Sequence, residues 1–401
     1  MQSSRFRSSA LPFLVLVILV TTSWLRLFKF ITIDRQEQAN ININNNNNRI
    51  TVNSTHDDKN NNTTRVHRSP TTRKTKTSLK IATWNLRVPF EQDVTTWADR
   101  RDSVANAIAL NRPDILATQE DCYYMNQDLM MSSIINKNHH HNLSSLYERY
   151  GLFNRNGEAN STSSWPVNAF SSIVGRDGEH NSIWYNRNRF IEQKKHTFWM
   201  SRSPTVPGTS FDEVTGRIVN CLLLRERHSC VTEQADGGIS SCTDVFFCST
   251  HLPSGNVMRQ LWSVDVISKQ FRSFKEDYHN RMMIPHLQQR LVMFISGDFN
   301  AIPGSATYNA MIDAGFVDAR SISNEGKRID SYSPTTNDWH GAKDELIDHV
   351  WIYNVDDSKL NHYLSVESVK HKRIPAEDDE QLTASDHKMI TVDITYRSSN
   401  F

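Results

Sequence analysis

The sequence of 401 residues contains five cysteines and no CxxC pair, so the spacing typical of a structural zinc site is missing. It also has no internal repeat, which argues against a repeat array. Residues 1–80 contain 13 Lys/Arg and 4 Asp/Glu, whereas the remainder contains 32 and 40, so the larger part lacks an excess of positive charge. Domains that bind polynucleotides non-specifically are usually basic. The composition therefore disfavours a function that depends on gripping a long nucleic acid.

The N-terminus contains an apolar run at residues 10–25, preceded by Arg5 and Arg7. That length fits the core of a signal peptide or a short signal anchor. Bulky residues occupy the place where a small-residue cleavage site would follow. We therefore expect residues 1–33 to be an uncleaved single-pass membrane anchor, with the catalytic domain in the lumen or outside the cell. A cleaved signal and a secreted protein are the alternative.

Residues 34–78 are polar, rich in Asn and low in complexity. Such a composition cannot bury enough apolar surface to fold, so it predicts a disordered stalk. Glycosylation in the secretory pathway is indicated by N-x-S/T sequons at Asn53, Asn61, Asn62, Asn142 and Asn160. The folded domain is predicted to span residues 79–401.

Within that domain, short apolar segments alternate with amphipathic ones. Strands are predicted at residues 79–84, 114–118, 182–185, 217–224, 244–249, 291–296, 347–353 and 389–396. Helices are predicted at residues 97–110, at about 256–274, and between Ser305 and Gly315. Strands mixed with a few helices, without strict alternation, indicate a layered α/β sandwich rather than a Rossmann sheet.

Polar groups cluster at the ends of these strands. They are Asn85, Gln119-Glu120, Thr250-His251, Asp298 with Asn300, Asp348-His349, and Ser385-Asp386-His387. Side chains at strand ends can converge on one edge of a sheet sandwich. A cluster of this kind would be costly to build for stability alone.

The order of these groups resembles the endonuclease/exonuclease/phosphatase superfamily over residues 79–396. The densest matches are Thr-Trp-Asn-Leu-Arg at 83–87, Pro-Asp-Ile-Leu-Ala-Thr-Gln-Glu at 113–120, Ser-Gly-Asp-Phe-Asn-Ala-Ile-Pro-Gly-Ser at 296–305 and Ser-Asp-His at 385–387. The resemblance implies a four-layered α/β sandwich, with two packed mixed sheets flanked by helices. It also implies metal-dependent phosphoester hydrolysis, in a poorly characterised branch.

The resemblance and the chemistry of hard cations together suggest the metal ligands. Mg²⁺ prefers carboxylate oxygen and keeps several waters, so Glu120 is the main candidate, joined by Asn85 and Asp386. We expect Mg²⁺ as the cofactor, with Mn²⁺ as a possible substitute.

The same resemblance assigns roles to the remaining polar groups. The predicted catalytic residues are Glu179, His251, Asp298, Asn300, Asp348 and His387. The predicted phosphate contacts are Asn85, Arg217 and Asn300. His387 is expected to pair with Asp348, and His251 with Glu179. Whether Asp298 or His387 takes the proton of water stays open at this point.

Three functions compete. The first is a nuclease-type phosphodiesterase acting on nucleotide material, supported by His251 with Glu179. The second acts on a phospholipid headgroup, like a sphingomyelinase or phospholipase C, or on a phosphomonoester; the N-terminal membrane anchor supports the lipid case. The third is an inactive binding domain, which is disfavoured because every expected motif residue is present. No protein partner is predicted.

The cysteines bear on the compartment. The strands at 217–224 and 244–249 are expected to form an antiparallel hairpin, which brings Cys230 opposite Cys242 near its loop. In an oxidising lumen this predicts a Cys230–Cys242 disulfide, with Cys221 and Cys248 as buried thiols and Cys122 free. In a cytosolic enzyme all five would be reduced.

Overall fold

The computed structural model describes residues 76–397 except 91–92, 94, 137–138, 156, 158–177, 212–215, 228–240, 282–287, 325–332, 338–343, 355–363 and 377–378. The proposed membrane segment and most of the proposed stalk therefore lie outside the described residues. Within the described part of the chain, no helix combines the length and the hydropathy needed to cross a membrane.

The strands include all eight predicted from apolar runs. In chain order they are β1 (Lys76–Asn85), β2 (Ile115–Gln119), β3 (Ser133–Asn136), β4 (His139–Asn142), β5 (Tyr147–Tyr150), β6 (Ile183–Asn186), β7 (Phe190–Trp199), β8 (Ile218–Glu226), β9 (Ser241–His251), β10 (Gln288–Asp298), β11 (Phe316–Asp318), β12 (Asp348–Tyr353), β13 (Leu364–Lys372), β14 (Pro375–Ala376), β15 (Asp379–Thr383) and β16 (Met389–Arg397).

The helices are α1 (Trp97–Asn111), α2 (Tyr123–Met131), α3 (Leu143–Leu146), α4 (Val257–Arg281) and α5 (Ala306–Asp313). The three predicted helices correspond to α1, α4 and α5. The N-cap of α5 is Ser305, whose side chain accepts a hydrogen bond from the backbone N–H of Tyr308. Neither α2 nor α3 was predicted.

Two six-stranded mixed sheets form the framework. The first has the order β13-β16-β1-β2-β6-β5, and the second has the order β11-β12-β10-β9-β8-β7. The pairs β1–β2 and β9–β10 are parallel, while the other neighbours are antiparallel. The two smaller sheets are the pairs β3–β4 and β14–β15.

Three apolar clusters stack these elements into layers. The central cluster draws buried residues from both large sheets, for example Ile81 of β1 and Phe294 of β10. A second cluster packs α4 and α5 on the outer face of the second sheet, with Phe271 as a member. The third packs α1 and α2 on the outer face of the first sheet, around Trp84. This helix–sheet–sheet–helix arrangement confirms the predicted four-layered sandwich.

The disulfide prediction was wrong about the partners. Cys221 and Cys248 are bonded to each other, whereas we expected them to be separate thiols. Strands β8 and β9 form the predicted antiparallel pair, and their register places Cys221 directly opposite Cys248. Cys122 is buried and lies outside the disulfide, as predicted. Cys230 lies outside the described residues.

Candidate active site

Strand direction brings the predicted site residues to one edge of the sandwich. Strands β1, β2, β9 and β10 end at this edge, and their antiparallel neighbours β8, β12 and β16 begin there. The first sheet supplies the groups that follow β1 and β2 and precede β16. The second sheet supplies those at the ends of β9 and β10 and at the start of β12. The edge therefore combines residues from both sheets.

Asn85 joins the two halves of the site. Its Nδ2 donates to Glu120 Oε1 at 2.9 Å and to Asp298 Oδ2 at 3.2 Å. Its Oδ1 accepts from the backbone N–H of Arg87 at 2.9 Å, which fixes the orientation of the amide. The side chain is fully buried, so these bonds satisfy groups that have no access to water.

Glu120 lies at the end of β2 in a left-handed backbone conformation, with φ of 56°. Its second carboxylate oxygen, Oε2, accepts from the backbone N–H of Val88 at 2.9 Å. Burial alone would raise the pKa of Glu120, but Arg87 and the hydrogen bonds from Asn85 and Val88 lower it to about 2. Glu120 is therefore a preformed anion at neutral pH, as a ligand for a hard cation must be.

His387 and Asp348 form the predicted pair. His387 Nδ1 lies 2.8 Å from Asp348 Oδ2, and both side chains are buried. Burial opposes a charged ring, but the carboxylate of Asp348 outweighs it and raises the pKa of His387 well above its usual value. His387 Nε2 points toward Asp298 Oδ2 at 3.8 Å. The ring is therefore held as an imidazolium facing Asp298.

Asp298 lies at the centre of the cluster. Its Oδ1 accepts from the backbone N–H of Asn300 at 2.8 Å. The same Oδ2 that lies 3.8 Å from His387 Nε2 lies 3.5 Å from Nε2 of His251. Burial and the charge of Asp348 raise the pKa of Asp298 to about 7. A carboxylate with that pKa can both accept and release a proton near neutral pH.

His251 and Asn300 are in direct contact. Asn300 Nδ2 donates to the carbonyl of Leu252 at 3.0 Å and lies 3.1 Å from His251 Nε2. Because this nitrogen of Asn300 is a donor, His251 Nε2 is the acceptor. Burial and the charge of Arg217 lower the pKa of His251 well below its usual value. His251 is thus a neutral ring, unlike His387.

Asp386 contacts a residue for which we had predicted no role. Its Oδ2 lies 3.3 Å from NH1 of Arg87, the last residue of the Thr-Trp-Asn-Leu-Arg motif. Burial raises the pKa of Asp386, although His387 and Arg87 oppose that rise. Arg87 could have been recognised from the sequence as a site residue, because Arg87 immediately follows the motif residues Asn85 and Leu86.

Glu179 and Arg217 lie in a small neighbouring pocket, lined by Arg155, Glu179, Asn181, Arg217, Ile218 and His251. Both oxygens of Glu179 contact the guanidinium of Arg155 at 2.7 Å. The expected pairing of Glu179 with His251 stays a prediction, although the two line the same pocket. Arg155 was not predicted, because it lies in a loop without hydrophobic periodicity.

A buried polar network supports Asp348 from behind, and the sequence did not reveal it. Arg320 donates from NH2 to the carbonyl of Asp348 at 2.9 Å and to Asp318 Oδ2 at 3.1 Å. His349 Nε2 lies 2.8 Å from the carbonyl of Ala301, which follows the Asp298–Asn300 turn. These contacts fix β12 and the end of β10 relative to each other.

Two groups of side chains have the donor spacing of a metal site. One is Glu120, His251 and Asp298, and the other is Asp298, Asp348 and His387; within each group the donor atoms lie within 4.8 Å of one another. The first group includes the preformed anion Glu120. The second already contains the His387–Asp348 ion pair. The described residues can therefore bind a divalent cation, and Glu120 marks the better position.

The comparisons with known proteins agree with this geometry. A model of the endonuclease/exonuclease/phosphatase family matches residues 82–387. The structure of a family member from Bacteroides thetaiotaomicron has a TM-score of 0.57 at 18% identity, covering 80% of this chain and 99% of that one. A mannosyl-6-phosphatase from the same organism has a TM-score of 0.56 at 19% identity, covering 79% and 99%.

The catalytic domain of human Nocturnin has a TM-score of 0.50 at 15% identity, covering 80% of this chain and 97% of that one. At these identities the likeness concerns the fold. No curated protein matches the chain significantly. The family match spans most of the two-sheet domain and includes the residues that converge at its edge, so the chain belongs to the endonuclease/exonuclease/phosphatase family, whose members are metal-dependent phosphoester hydrolases.

Proposed function

We propose that this chain is a Mg²⁺-dependent phosphoester hydrolase, in which Mn²⁺ can replace Mg²⁺. One observation carries the proposal. Asp298 lies between a neutral histidine, His251, and a protonated one, His387, and is linked through Asn85 to the anion Glu120. An acid, a base and a cation site at one position are what phosphoester hydrolysis requires.

The donor set fits the proposed metal. Glu120 offers carboxylate oxygens, which Mg²⁺ prefers, and Asn85 offers an amide beside them. Mn²⁺ accepts the same oxygen ligands, and the imidazole of His251 is more compatible with Mn²⁺ than with Mg²⁺. When bound, the cation would supply positive charge for the phosphoryl oxygens. Asp386 is a further proposed ligand at this edge.

Asp298 is the group that we propose as the base. Its pKa of about 7 makes it an effective proton acceptor at neutral pH. The hydrogen bond from the Asn300 N–H orients the carboxylate, so that Oδ2 faces the gap between the two histidines. In this proposal Asp298 takes the proton of the attacking water, and His387 does not.

His387 then acts as a fixed positive charge. Its bond to Asp348 keeps the ring protonated and directs Nε2 toward the reaction position. An imidazolium there stabilises charge that develops on a phosphoryl oxygen. On the other side, His251, Asn300 and Arg217 are proposed to bind the remaining phosphoryl oxygens. His251 Nε2 is an acceptor 3.5 Å from Asp298 Oδ2, and we propose that it passes the proton that Asp298 takes from water on to the leaving group. Glu179, held by Arg155, is proposed to support them.

The substrate is proposed from the chemistry of the chain. A phosphodiester in nucleotide material is the first candidate, because it needs a protonated leaving group and two histidines flank Asp298. A phospholipid headgroup or a phosphomonoester is the alternative; one structure with the same fold is named a mannosyl-6-phosphatase. The Cys221–Cys248 disulfide supports the proposal of an oxidising, secretory location, because such bonds are rare in the cytosol.

The test uses the full chain, stripped of metal with EDTA and then supplied with Mg²⁺. Bis-p-nitrophenyl phosphate, p-nitrophenyl phosphate, single-stranded DNA and sphingomyelin are the substrates. We expect turnover of at least one of them, lost in EDTA and restored by Mg²⁺. Glu120→Gln should lower kcat/KM by more than roughly 100-fold without unfolding the protein.

Glu192→Gln on β7 is the matched control, because Glu192 makes a partly exposed ion pair with Lys195. It should behave like the parent. Hydrolysis that continues in EDTA, or a fully active Glu120→Gln variant, would contradict the proposed function.

A further inference from the structure

Arg87 enters the active-site edge in a strained and tightly fixed backbone conformation. It follows β1 with φ of 60°, in the left-handed region that non-glycine residues rarely adopt. Its N–H donates to Asn85 Oδ1 at 2.9 Å, and its carbonyl accepts from NH2 of the buried Arg100 at 2.5 Å. Backbone strain of this kind persists only where the surroundings hold it, and it often marks a functional position.

The side chain of Arg87 is fixed on three sides. NH1 lies 3.3 Å from Asp386 Oδ2, and NH2 lies 3.1 Å from Asp93 Oδ1. The guanidinium carbon lies 4.7 Å from the centroid of the Phe90 ring. Asp93 is itself oriented by a bond from the Phe90 N–H at 3.1 Å. The guanidinium of Arg87 is thus a fixed positive charge at the active-site edge, in contact with Asp386.

The carboxylates at this edge differ in what they contact. Arg87 contacts both Asp386 and Asp93, and His387 contacts Asp348. Glu120 and Asp298 instead share a donor group with His251. Asp386 belongs to neither of the two donor groups found among the residues described. The donor spacing therefore favours a cation at Glu120, while the side of Asp386 is already occupied by the guanidinium of Arg87.

We propose, building on the metal-dependent function above, that Arg87 takes the place of a second metal ion. Its guanidinium balances the charge of Asp386, so the site binds one divalent cation, at Glu120. Because a fixed positive charge repels a divalent ion nearby, Arg87 also weakens the affinity for that one ion. Arg87 is a positioning residue in this sense, since it acts on Asp386 and on the metal rather than on substrate.

The experiment measures metal binding directly, without turnover. The full chain, stripped of metal, is titrated with Mn²⁺ while free Mn²⁺ is followed by electron paramagnetic resonance. We expect one Mn²⁺ per chain for the parent. Arg87→Met should bind that ion roughly tenfold more tightly, or bind a second ion, because a neighbouring positive charge has been removed. Arg87→Lys keeps the charge and should bind one ion with parent-like affinity.

Arg101→Met is the matched control, because Arg101 makes an exposed ion pair with Asp102 on α1. It removes the same charge away from the site and should leave the affinity unchanged. If Arg87→Met does not fold by circular dichroism, Arg87→Gln replaces it as the neutral variant. The stoichiometry of the parent tests the proposal without any variant.

Two Mn²⁺ ions per parent chain, or unchanged or weaker binding in the neutral Arg87 variants, would overturn the proposal for Arg87 while leaving the metal-dependent function intact. No Mn²⁺ binding by the parent would overturn the proposed function itself, and this inference with it.

Discussion

Asp348 Oδ2 lies 2.8 Å from His387 Nδ1, although the two residues are 39 positions apart in the chain and belong to different sheets. Asp348 begins β12 of the second sheet, and His387 precedes β16 of the first. The protonation state of the histidine on one sheet is thus set by a carboxylate on the other. The pair connects the packing of the sandwich to its chemistry.

Replacing Asp348 with Asn should change both rate and pH dependence. Asp348 raises the pKa of His387, so the imidazolium persists to higher pH in the parent. Without that charge the pKa falls, and activity should be lost at a lower pH as pH rises. The loss in kcat/KM should be about 10²- to 10³-fold, the range for losing one group that stabilises charge in the transition state.

The measurement for Asp348→Asn is the pH profile of kcat/KM. Asp265→Asn is the control, because Asp265 makes an exposed ion pair with Lys269 on α4. An Asp348→Asn profile that falls at the same pH as the parent would show that His387 does not depend on Asp348.

The Cys221–Cys248 disulfide should stabilise the protein. It closes a loop between residues 27 positions apart, which corresponds to roughly 3–4 kcal/mol in the chain-entropy model. Changing both cysteines to Ala should lower the free energy of unfolding by about that amount, and the reducing agent dithiothreitol should then have no further effect. Urea unfolding with and without dithiothreitol provides the measurement.

Cys122→Ala is the control for the disulfide, because Cys122 does not take part in it. Its stability should respond to dithiothreitol as that of the parent does. Non-reducing peptide mapping that finds free thiols at Cys221 and Cys248 in protein from its native host would contradict both the bond and the secretory location.

Gly297 should tolerate no side chain. It has φ of 149°, and an added Cβ would lie 1.8 Å from the carbonyl oxygen of its β9 neighbour Thr250. Gly297→Ala must therefore separate β9 from β10 next to Asp298. We expect a loss of about 3 kcal/mol or more in the free energy of unfolding, measured in urea.

Gly304 provides the comparison for Gly297. Its φ is 81°, but an added Cβ would have nothing within 4 Å. Gly304→Ala should therefore lower the free energy of unfolding only by the cost of a left-handed backbone conformation, about 1–2 kcal/mol. Equal losses in the two variants would show that the close approach to Thr250 is not the cause.

Asp318 should make stability depend on pH below neutrality. Burial opposes ionisation, but Arg320 and His349 lower the pKa of Asp318 below its usual value. A lowered folded-state pKa means that the stabilisation is complete above the unfolded value of about 3.9 and is lost as pH falls. Asp318→Asn should cost about 3–5 kcal/mol at pH 7, because Arg320 and His349 lose their anion.

Urea unfolding at several pH values tests the role of Asp318. The difference in the free energy of unfolding between the parent and Asp318→Asn should be constant from about pH 7 to pH 5 and should shrink below about pH 4. Asp313→Asn, at the exposed end of α5, is the control and should show no such dependence. If this difference in the free energy of unfolding persisted at low pH, the buried carboxyl of Asp318 would not be stabilising the fold as an anion.

Apolar runs predicted the strands that are buried on both faces, such as β2 and β8, because each contains a run of apolar side chains. Apolar runs did not predict the strands at the edges of the sheets. Strands β7 and β13 are each at one edge of a large sheet, and β7 carries the polar run from Glu192 to His196. An edge strand exposes polar side chains to water, so its sequence resembles a loop.

The site residues also divide into those that the sequence predicted and those that it did not. Site residues at strand ends could be predicted because the end of an apolar run in the sequence marks the end of a strand. Arg155 and Arg320 lie in loops, and their contacts depend on how distant segments pack. The disulfide was mispredicted because register decides which cysteines face each other. The actual register opposes Cys221 and Cys248, and only the pairing of β8 with β9 defines it.

The bridge from Glu120 through Asn85 to Asp298 has a consequence for how the protein assembles. The proposed cation ligands Asn85, Glu120 and Asp386 belong to the first sheet, whereas the proposed base Asp298 ends a strand of the second. A partly folded chain with the sheets apart could therefore hold the ion but not place Asp298 beside it. Packing of the two sheets would complete the site, and protection of the β10 amides from hydrogen exchange should appear at the same step as activity.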